Sequence, residues 1–406
     1  MRSRFFLAAL CAAFLSLGAS GARASGDSVK IGVLNDQSGM YADLSGQGSV
    51  IAARMAAEDF GGTVLGKPIE IIFADHQNKP DVGAAIASRW YDAENVDAIV
   101  DVPVSSVALA VQEVARQRKR IVMFSAAGSS DLTGKACSPF GTHWAFDTVA
   151  LAKGTATAVT KSGGDSWFFI TADYAFGAAM EADARRYIAA AGGKVIGSVR
   201  QPMGTMDFAS ALLQAQASKA KVVGLANAGA DTINALKGAS EFGIVAGGQK
   251  LAALLLFVAD VNALGLAVAQ GLEFTESFYW DLNDGTRAFS KRFSERMKNH
   301  AMPTMNQAGD YAGTLHYLKA LEAMGGYPHD GAKVVAKMKE MPTDDPLFGK
   351  GVVRADGRVT HNAYLFEVKS PAESKYPWDY YKLVATIPPE QAFRPLSESE
   401  CPLVKK

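Results

Sequence analysis

The sequence lacks the residue patterns of a metal site, a nucleic-acid-binding surface and the common hydrolase sites. Its six histidines are scattered singly, whereas a metal site needs ligands at short, regular spacing. Basic and acidic residues are balanced, with 41 of each, so no basic excess attracts nucleic acid. No G-x-S-x-G turn and no recognisable Cys–His arrangement are present. We therefore expect no bound metal and no nucleic-acid partner.

Complete phosphate-binding loops are also missing. Residues 61–68 (GGTVLGKP) match such a loop as far as Lys67, but Pro68 stands where a magnesium-binding Ser or Thr is needed. The stretch also precedes a strand instead of following one, so we interpret it as a turn. Gly46 and Gly48 lack the third glycine of a dinucleotide-binding turn. The sequence therefore predicts neither a cofactor nor an enzyme.

The only hydrophobic run that resembles a targeting segment lies at the start of the chain. The start MRSR precedes the apolar run FFLAALCAAFLSLG, and residues 22–24 form an A-x-A cleavage site. This pattern is typical of a secretory signal peptide, and the run is too short for a permanent membrane span. We predict a signal peptide over residues 1–24, cleaved near Ala24, and an exported chain without membrane insertion. Loss of the peptide's three arginines leaves a slightly acidic mature chain.

Cysteine is scarce, with three residues in the whole chain. Cys11 lies in the predicted signal peptide, which leaves Cys137 and Cys401. In an oxidising compartment a widely separated pair of this kind favours one disulfide. Two unpaired buried thiols are the alternative.

A regular alternation of strand-like and helix-like segments runs through the rest of the chain. Short apolar runs alternate with segments whose apolar residues recur at helical spacing, and the roughly 380 mature residues suffice for two domains. The alternation restarts after residues 144–147, and no low-complexity linker separates the halves. The sequence therefore predicts an α/β fold of two domains joined by several short crossings. One of the predicted helices spans Asp310–Met324. The predicted strands are Val29–Leu34, Ile69–Ala74, Ala98–Val100, Ile121–Phe124, Ser166–Ile170, Lys194–Val199, Val222–Ala226 and the apolar run Leu251–Phe257.

Residues 98–130 form the clearest βαβ unit. Two strand-like runs flank a helix, so the strands are parallel and the crossover is right-handed. Ligands of open α/β sheets bind outside the carboxyl ends of the strands, where serines and free backbone N–H groups suit a carboxylate. The alternative is that Ser106 and Ser129 only cap the following helices. The serines after the two strands are Ser105, Ser106, Ser125 and Ser129.

At this point the chain resembles the periplasmic ligand-binding proteins of the leucine/isoleucine/valine-binding type, which serve ABC importers. The resemblance covers the mature chain. It depends on the order and spacing of several short segments, namely Lys30–Gly39 (KIGVLNDQSG), Leu65–Glu70 (LGKPIE), Ile121–Ser129, Asp173–Gly177 (DYAFG) and Phe208–Leu212 (FASAL).

The resemblance implies two Rossmann-like lobes joined by three crossover strands and closing on a small ligand. The first lobe is expected to hold residues 25–146 and 276–349, and the second residues 147–275 and 350–406. It also implies a periplasmic monomer that passes its ligand to an ABC permease.

Family binding roles transfer to positions that match. The serine that holds the ligand's carboxylate falls on Ser106, and the backbone-and-hydroxyl pair after the next strand falls on Ala127 and Ser129. The aromatic residue that covers the ligand falls on Phe176, with Tyr174 close by. The resemblance therefore implies that the first lobe binds the ligand's carboxylate and that aromatic side chains of the second lobe cover the ligand.

Two positions depart from the family pattern. The acidic residue that pairs with an amino acid's ammonium group should fall in Leu254–Phe257, where LLLF carries no charge. A tyrosine should fall near Asn227 and Gly229, where smaller residues stand, and we expect these residues to contact the ligand in its place. Of the other acids, Asp173 and Asp231 could turn inward and serve as the missing ammonium partner. We expect instead that Asp173 lies in a solvated turn and that Asp231 caps the following helix.

The sequence therefore predicts a binding protein for an aromatic or apolar carboxylate without an ammonium group. A binder of branched-chain or other amino acids, and an amide- or urea-type sensor of the same fold, remain alternatives. A secreted hydrolase or dehydrogenase is the rival from another class.

Overall fold

The computed structural model describes residues 28–326 and 330–405. The predicted signal peptide and its cleavage near Ala24 lie outside the described residues. Two open sheets form the centres of two lobes, as expected from the alternation of strands and helices. Two smaller antiparallel sheets accompany them.

The first lobe is a six-stranded sheet in the order β2-β3-β1-β4-β5-β6. All its neighbours are parallel except the short hairpin pair β2 and β3. Inner strands of the sheet, such as β4 and β5, consist almost entirely of apolar residues, because helices cover both faces of the sheet. Its elements are β1 (Val29–Asn35), α1 (Gly46–Phe60), β2 (Thr63–Val64), β3 (Lys67–Asp75), α2 (Pro80–Asp92), β4 (Ala98–Asp101), α3 (Ser105–Arg118), β5 (Ile121–Phe124) and β6 (Gly141–His143).

The second lobe is a four-stranded parallel sheet in the order β10-β9-β7-β8. The predicted strand over Leu251–Phe257 is shorter in the structure, because pairing ends at Ala253. Its elements are α4 (Thr148–Leu151), a π-helical turn (Ala152–Ala156), α5 (Thr157–Lys161), β7 (Ser166–Ala172), α6 (Ala175–Ala190), β8 (Lys194–Gln201), α7 (Ala209–Ala217), β9 (Val222–Ala226), α8 (Ala230–Glu241), β10 (Lys250–Ala253), α9 (Val258–Leu264) and α10 (Leu266–Ala269).

The chain then returns to the first lobe. Helices α11 (Asp284–Arg296), α12 (Met305–Met324) and α13 (Gly331–Glu340) follow the second crossing, and α11 and α12 pack against α1. Helix α12 lies close over the end of β5, since a Cβ on Gly309 would stand only 2.8 Å from the Cβ of Ser125. This close packing brings the first turns of α12 next to the carboxyl ends of the strands of the first sheet.

Two small antiparallel sheets complete the fold. Val353 and Val359, in β13 and β14, pack in the first-lobe core, whereas Phe274, Phe366 and Tyr381 pack in the second-lobe core. The expected boundary at residues 349/350 therefore falls at the start of a strand that packs with the first lobe, and the exact lobe limits stay a prediction. The strands are β11 (Glu273–Glu276), β12 (Pro342–Asp345), β13 (Gly349–Val353), β14 (Val359–Thr360), β15 (Ala363–Val368) and β16 (Tyr381–Ile387).

A buried arginine ties the last crossing to the first one. Arg358 is fully buried and donates hydrogen bonds to the carbonyl oxygens of Trp144 and Phe146. Its guanidinium also lies 3.7 Å from the carboxylate of Asp147. The connecting segments are thus held by the fork geometry that arginine provides.

The C-terminal tail lies across both lobes. It contains α14 (Pro389–Ala392), and Arg394 donates to Ser130 and to Asp183, one residue from each lobe. Cys401 forms the expected disulfide with Cys137, their Cα atoms 5.6 Å apart. The last residues therefore connect back to the segment that precedes the first crossing.

Candidate ligand-binding cleft

A narrow cavity of about 20 Å³ lies between the lobes. Its walls are apolar and aromatic apart from two tyrosine hydroxyls, one asparagine and the main chain. Tyr41, Leu44, Pro103, Ala126, Gly128 and Asn306 line it from the first lobe, and Tyr174, Phe176, Ala228, Leu255 and Phe257 line it from the second.

The first wall begins at a tight turn after β4. Asp101 and Val102 have φ angles of 82° and 55°, a region that a β-branched residue such as valine rarely adopts. This turn places Pro103 in the cavity wall and starts α3 directly behind it. No side chain caps the first turn of α3, so its N–H groups and the positive end of its dipole remain available for an anion.

The loop after β5 offers a second set of donors. Among the described residues, the backbone N–H groups of Ala126, Ala127 and Gly128 donate to no protein acceptor. The loop is anchored from behind, since the N–H of Ser129 donates to the hydroxyl of Ser105 at 3.1 Å. Its other anchor is the ring of His143, which contacts the carbonyl oxygen of Ala127. Successive free N–H groups of this kind form an anion-binding concavity.

The second wall is aromatic and approaches the loop closely. A Cβ on Gly128 would lie 2.7 Å from the ring of Phe176, so only glycine permits this separation. The rings of Tyr174 and Phe176 are 6.0 Å apart, and Phe257 packs edge-on against Phe146 at 6.2 Å. A flat or branched apolar group would therefore meet ring faces and edges on this side.

The lobes touch at the rim of the cavity. The hydroxyls of Tyr41 and Tyr174 are 2.7 Å apart across the cleft. Gly229, with a φ angle of 58°, lies against the turn that carries Tyr41, and a Cβ there would stand 2.9 Å from the carbonyl oxygen of Met40. Both contacts join the turn after β1 to the second lobe.

Some of the binding residues predicted from the sequence line the cavity, and others lie behind its wall. Tyr174 and Phe176 line it, while Ala127 sits between two lining residues. Ser105 and Ser129 are buried behind the loop, and Ser106 lies half-buried in the first turn of α3.

Three other predicted positions have protein partners. The Ser125 hydroxyl donates to the carboxylate of Asp310, which directs it toward α12. Asn227 accepts from Thr232 through Oδ1 at 2.8 Å, and Gly229 forms the contact at the rim. The roles of these three residues in binding remain predictions.

The two acids named as possible ammonium partners differ in burial. Asp173 is exposed and pairs with Arg200 at 3.4 Å. Asp231 is buried, but the N-cap of α8 is Gly229, so the expectation that Asp231 caps this helix is wrong. Its carboxylate accepts from the N–H of Gly204 at 3.2 Å, and burial raises the pKa of Asp231 to about 6. Asp231 is not among the lining residues.

Of the eleven lining residues, the sequence predicted Tyr174 and Phe176 as binding residues. Five others adjoin predicted positions or fall within the LLLF segment, and four lie outside both, namely Tyr41, Leu44, Pro103 and Asn306. Tyr41 and Leu44 follow the turn after β1, so the rule that ligands meet the carboxyl ends of strands could have found them. Asn306 carried no such signal, because it precedes the first residue of the helix predicted over Asp310–Met324.

The described residues contain no group of three or more side chains able to hold a metal ion. Within the same residues, no helix combines the length and the apolar character of a membrane span.

Comparison with known proteins identifies the family. Residues 28–375 match the periplasmic binding protein family. Leu/Ile/Val-binding protein homolog 6 of Brucella melitensis is 27% identical over 383 residues, which cover 92% of this chain and 95% of that protein.

Solved structures agree with this assignment. A periplasmic binding protein from Burkholderia mallei is 51% identical, with a TM-score of 0.90, over 93% of this chain and 100% of that one. A branched-chain amino acid ABC transporter periplasmic ligand-binding protein from Burkholderia xenovorans is 43% identical, with a TM-score of 0.83, over the same shares. The family and the fold are those of transporter substrate-binding proteins rather than of enzymes. The resemblance inferred from the sequence is thus confirmed: the chain belongs to the periplasmic binding protein family.

Proposed function

We propose that this protein binds a small carboxylate without an ammonium group between its lobes and delivers it to the permease of an ABC importer. The observation that carries the proposal is the pairing of free backbone donors with an uncharged wall. The donors are the N–H groups at residues 126–128, and none of the lining side chains is charged.

The donors of the first lobe suit a carboxylate. Ala126 and Gly128 line the cavity, and the start of α3 lies beside this loop, since the N–H of Ser129 donates to the hydroxyl of Ser105. Hydrogen bonds from such donors to a carboxylate are stronger than bonds between neutral groups. Ser106 and Ser129 are the side chains that we propose to assist them.

The opposite wall suits an apolar body. Leu255, Phe257 and Ala228 leave no counter-charge where the family is expected to hold an ammonium group. Taking an unpaired ammonium out of water costs several kcal/mol. Aromatic contact with Phe176 adds about 0.5–1.5 kcal/mol for a ring-bearing ligand.

A branched-chain amino acid is the second candidate, and one buried group favours it. Asp231 has a buried carboxylate oxygen without a hydrogen-bond partner among the described residues. The solved Burkholderia xenovorans relative is also described as a branched-chain amino acid transporter protein. A side-chain rotation of Asp231 toward the cleft would supply the counter-charge that LLLF lacks.

Calorimetry with matched ligands separates the two candidates. The pairs are leucine against 4-methylpentanoate and phenylalanine against 3-phenylpropanoate, each differing by the ammonium group alone. We expect the ammonium-free acid to bind more tightly in both pairs, by at least tenfold. Tighter binding of both amino acids, abolished in Asp231→Asn, would establish the second candidate instead.

A further inference from the structure

One polar side chain that lines the cavity has no hydrogen-bond partner within the part of the chain that the structure describes. Asn306 is the second residue of α12, is 2% exposed and lines the cavity. Its Oδ1 atom makes no hydrogen bond among the described residues. Buried side-chain amides are nearly always hydrogen-bonded in folded proteins, so an unpaired one that borders a ligand cavity indicates a group meant for the ligand.

The fold does not need this amide to start the helix. Thr304 and Gln307 form the capping box of α12, with the N–H of Thr304 donating to Oε1 of Gln307 at 2.9 Å. The Gln307 amide also donates to the carbonyl oxygen of Ser45 at 3.2 Å. Asn306 stands between these two capping residues and takes no part in their bonds.

The other polar side chains of the cavity are already paired. The hydroxyls of Tyr41 and Tyr174 bond to each other at 2.7 Å, and the remaining lining side chains are apolar. Asn306 is therefore the polar lining side chain that makes no hydrogen bond among the described residues, and it is placed to recognise a second polar group on a ligand whose carboxylate occupies the loop at 126–128.

We infer that Asn306 selects a carboxylate that carries a hydroxyl group on its apolar body. The inference rests on the proposed function and specifies its substrate class. A hydroxyl can donate to Oδ1 or accept from Nδ2 of the amide, so it satisfies Asn306 in either orientation. A second carboxylate or an ammonium group would bring a charge that no lining side chain neutralises.

The test compares benzoate, 3-hydroxybenzoate and 4-hydroxybenzoate by calorimetry. In the wild type, one hydroxylated acid should bind roughly fivefold to tenfold more tightly than benzoate, as one added neutral hydrogen bond implies. In Asn306→Leu this preference should disappear, because leucine keeps the volume and removes the amide. Leu44→Ala is the matched control: it shortens another lining side chain and should weaken all three acids while keeping their ratio.

The results distinguish a failure of the proposed role of Asn306 from a failure of the proposed carboxylate-binding function. Equal binding of the three acids by the wild type, or an unchanged ratio in Asn306→Leu, would overturn the role of Asn306 and leave the proposed carboxylate function standing. The wild-type comparison decides even if the variant folds poorly. Failure of all three acids and of the ammonium-free acids above to bind would overturn the proposed function, and the inference with it.

Discussion

Two carboxyl groups are buried together behind the ligand loop. Asp101 accepts from the Asn35 amide at 2.9 Å, and Asp310 accepts from the Ser125 hydroxyl. Burial raises the pKa of Asp101 to about 7. Burial, and then the nearby charge of Asp101, raises the pKa of Asp310 well above its usual value. The folded protein therefore binds more protons than the unfolded chain above pH ~4, the usual range of an aspartate.

The raised pKa of Asp101 implies that the stability of the folded protein falls as pH rises. Because the folded pKa of Asp101 is raised, its stabilising contribution is complete below the unfolded pKa and is lost as pH rises toward about 7. Asp101→Asn should flatten this decline and raise the free energy of unfolding at pH 8 by on the order of 4 kcal/mol, because the pKa shift from the usual value near 4 to about 7 corresponds to roughly 1.4 kcal/mol per pKa unit. Asparagine also tolerates the positive φ angle of this position.

Urea unfolding at pH 5 and pH 8 measures the effect, with exposed Asp173→Asn as the control. Some decline will remain in the variant, because burial also raises the pKa of Asp260 to about 7. An unchanged difference between the two pH values in Asp101→Asn would contradict the assignment.

The two serines proposed to assist the carboxylate should differ in what their loss does to the fold. Ser106→Ala should weaken binding of the preferred acid roughly tenfold, since a hydrogen bond to a charged group contributes about 1.5–3 kcal/mol, and leave stability unchanged. Ser129→Ala should weaken binding similarly and cost about 1 kcal/mol of stability, because its hydroxyl also accepts from the N–H of Asp131. Calorimetry and urea unfolding measure both effects, and wild-type affinity in both variants would refute the site.

At the scale of elements, we propose that the lobes close on the ligand by packing the turn before α8 against the turn after β1. Gly229→Ala puts a Cβ 2.9 Å from the carbonyl oxygen of Met40, so this contact cannot form without a backbone shift. We expect at least tenfold weaker binding of the preferred acid and a larger radius of gyration at saturation, measured by X-ray scattering.

Gly204→Ala is the matched control for this variant. Gly204 also has a positive φ angle, 83°, but a Cβ there would meet nothing within 4 Å. It therefore introduces comparable backbone strain without obstructing the lobes. If both variants bind and close equally well, the contact at Gly229 has no part in closure.

The elements that were predicted from the sequence are those whose apolar pattern is local. Strand β5 has the predicted limits, Ile121–Phe124, because the polar residues on either side of this short apolar run mark where the strand begins and ends. The strand predicted over Leu251–Phe257 was too long: its last four residues are buried, but pairing ends at Ala253, and Leu255 and Phe257 line the cleft instead. The start of α12 was missed because its capping box is polar, and β16 was missed because most of its residues are exposed.

At the scale of the whole molecule, the disulfide fastens the tail across both lobes. Cys137 and Cys401 are separated by 264 residues. Closing so long a loop contributes about 5–6 kcal/mol in the chain-entropy model, and measured values are smaller. Cys401→Ser should lower the free energy of unfolding by about 2–4 kcal/mol. In oxidised wild-type protein, both thiols should resist alkylation until reduction, as mass analysis would show. Alkylation of both cysteines without reductant would contradict the bond.

Counting cysteines was enough to predict this pairing, but not the path of the tail. The contacts of Arg394 with both lobes join residues more than 200 positions apart, and no local pattern encodes such a contact. The same holds for the cleft: the loop at 126–128 follows from the βαβ unit, whereas Asn306 reaches the cleft only through the packing of α12.

The central claim is that a small carboxylate is held by the loop at 126–128 and faces the aromatic wall of the second lobe. A crystal structure with 3-phenylpropanoate bound tests it most directly. The account predicts carboxylate oxygens at hydrogen-bond distance, about 2.7–3.2 Å, from backbone nitrogens of residues 126–128, with the ring against Phe176. A carboxylate bound to second-lobe donors, or an acid bound outside the cleft, would contradict it.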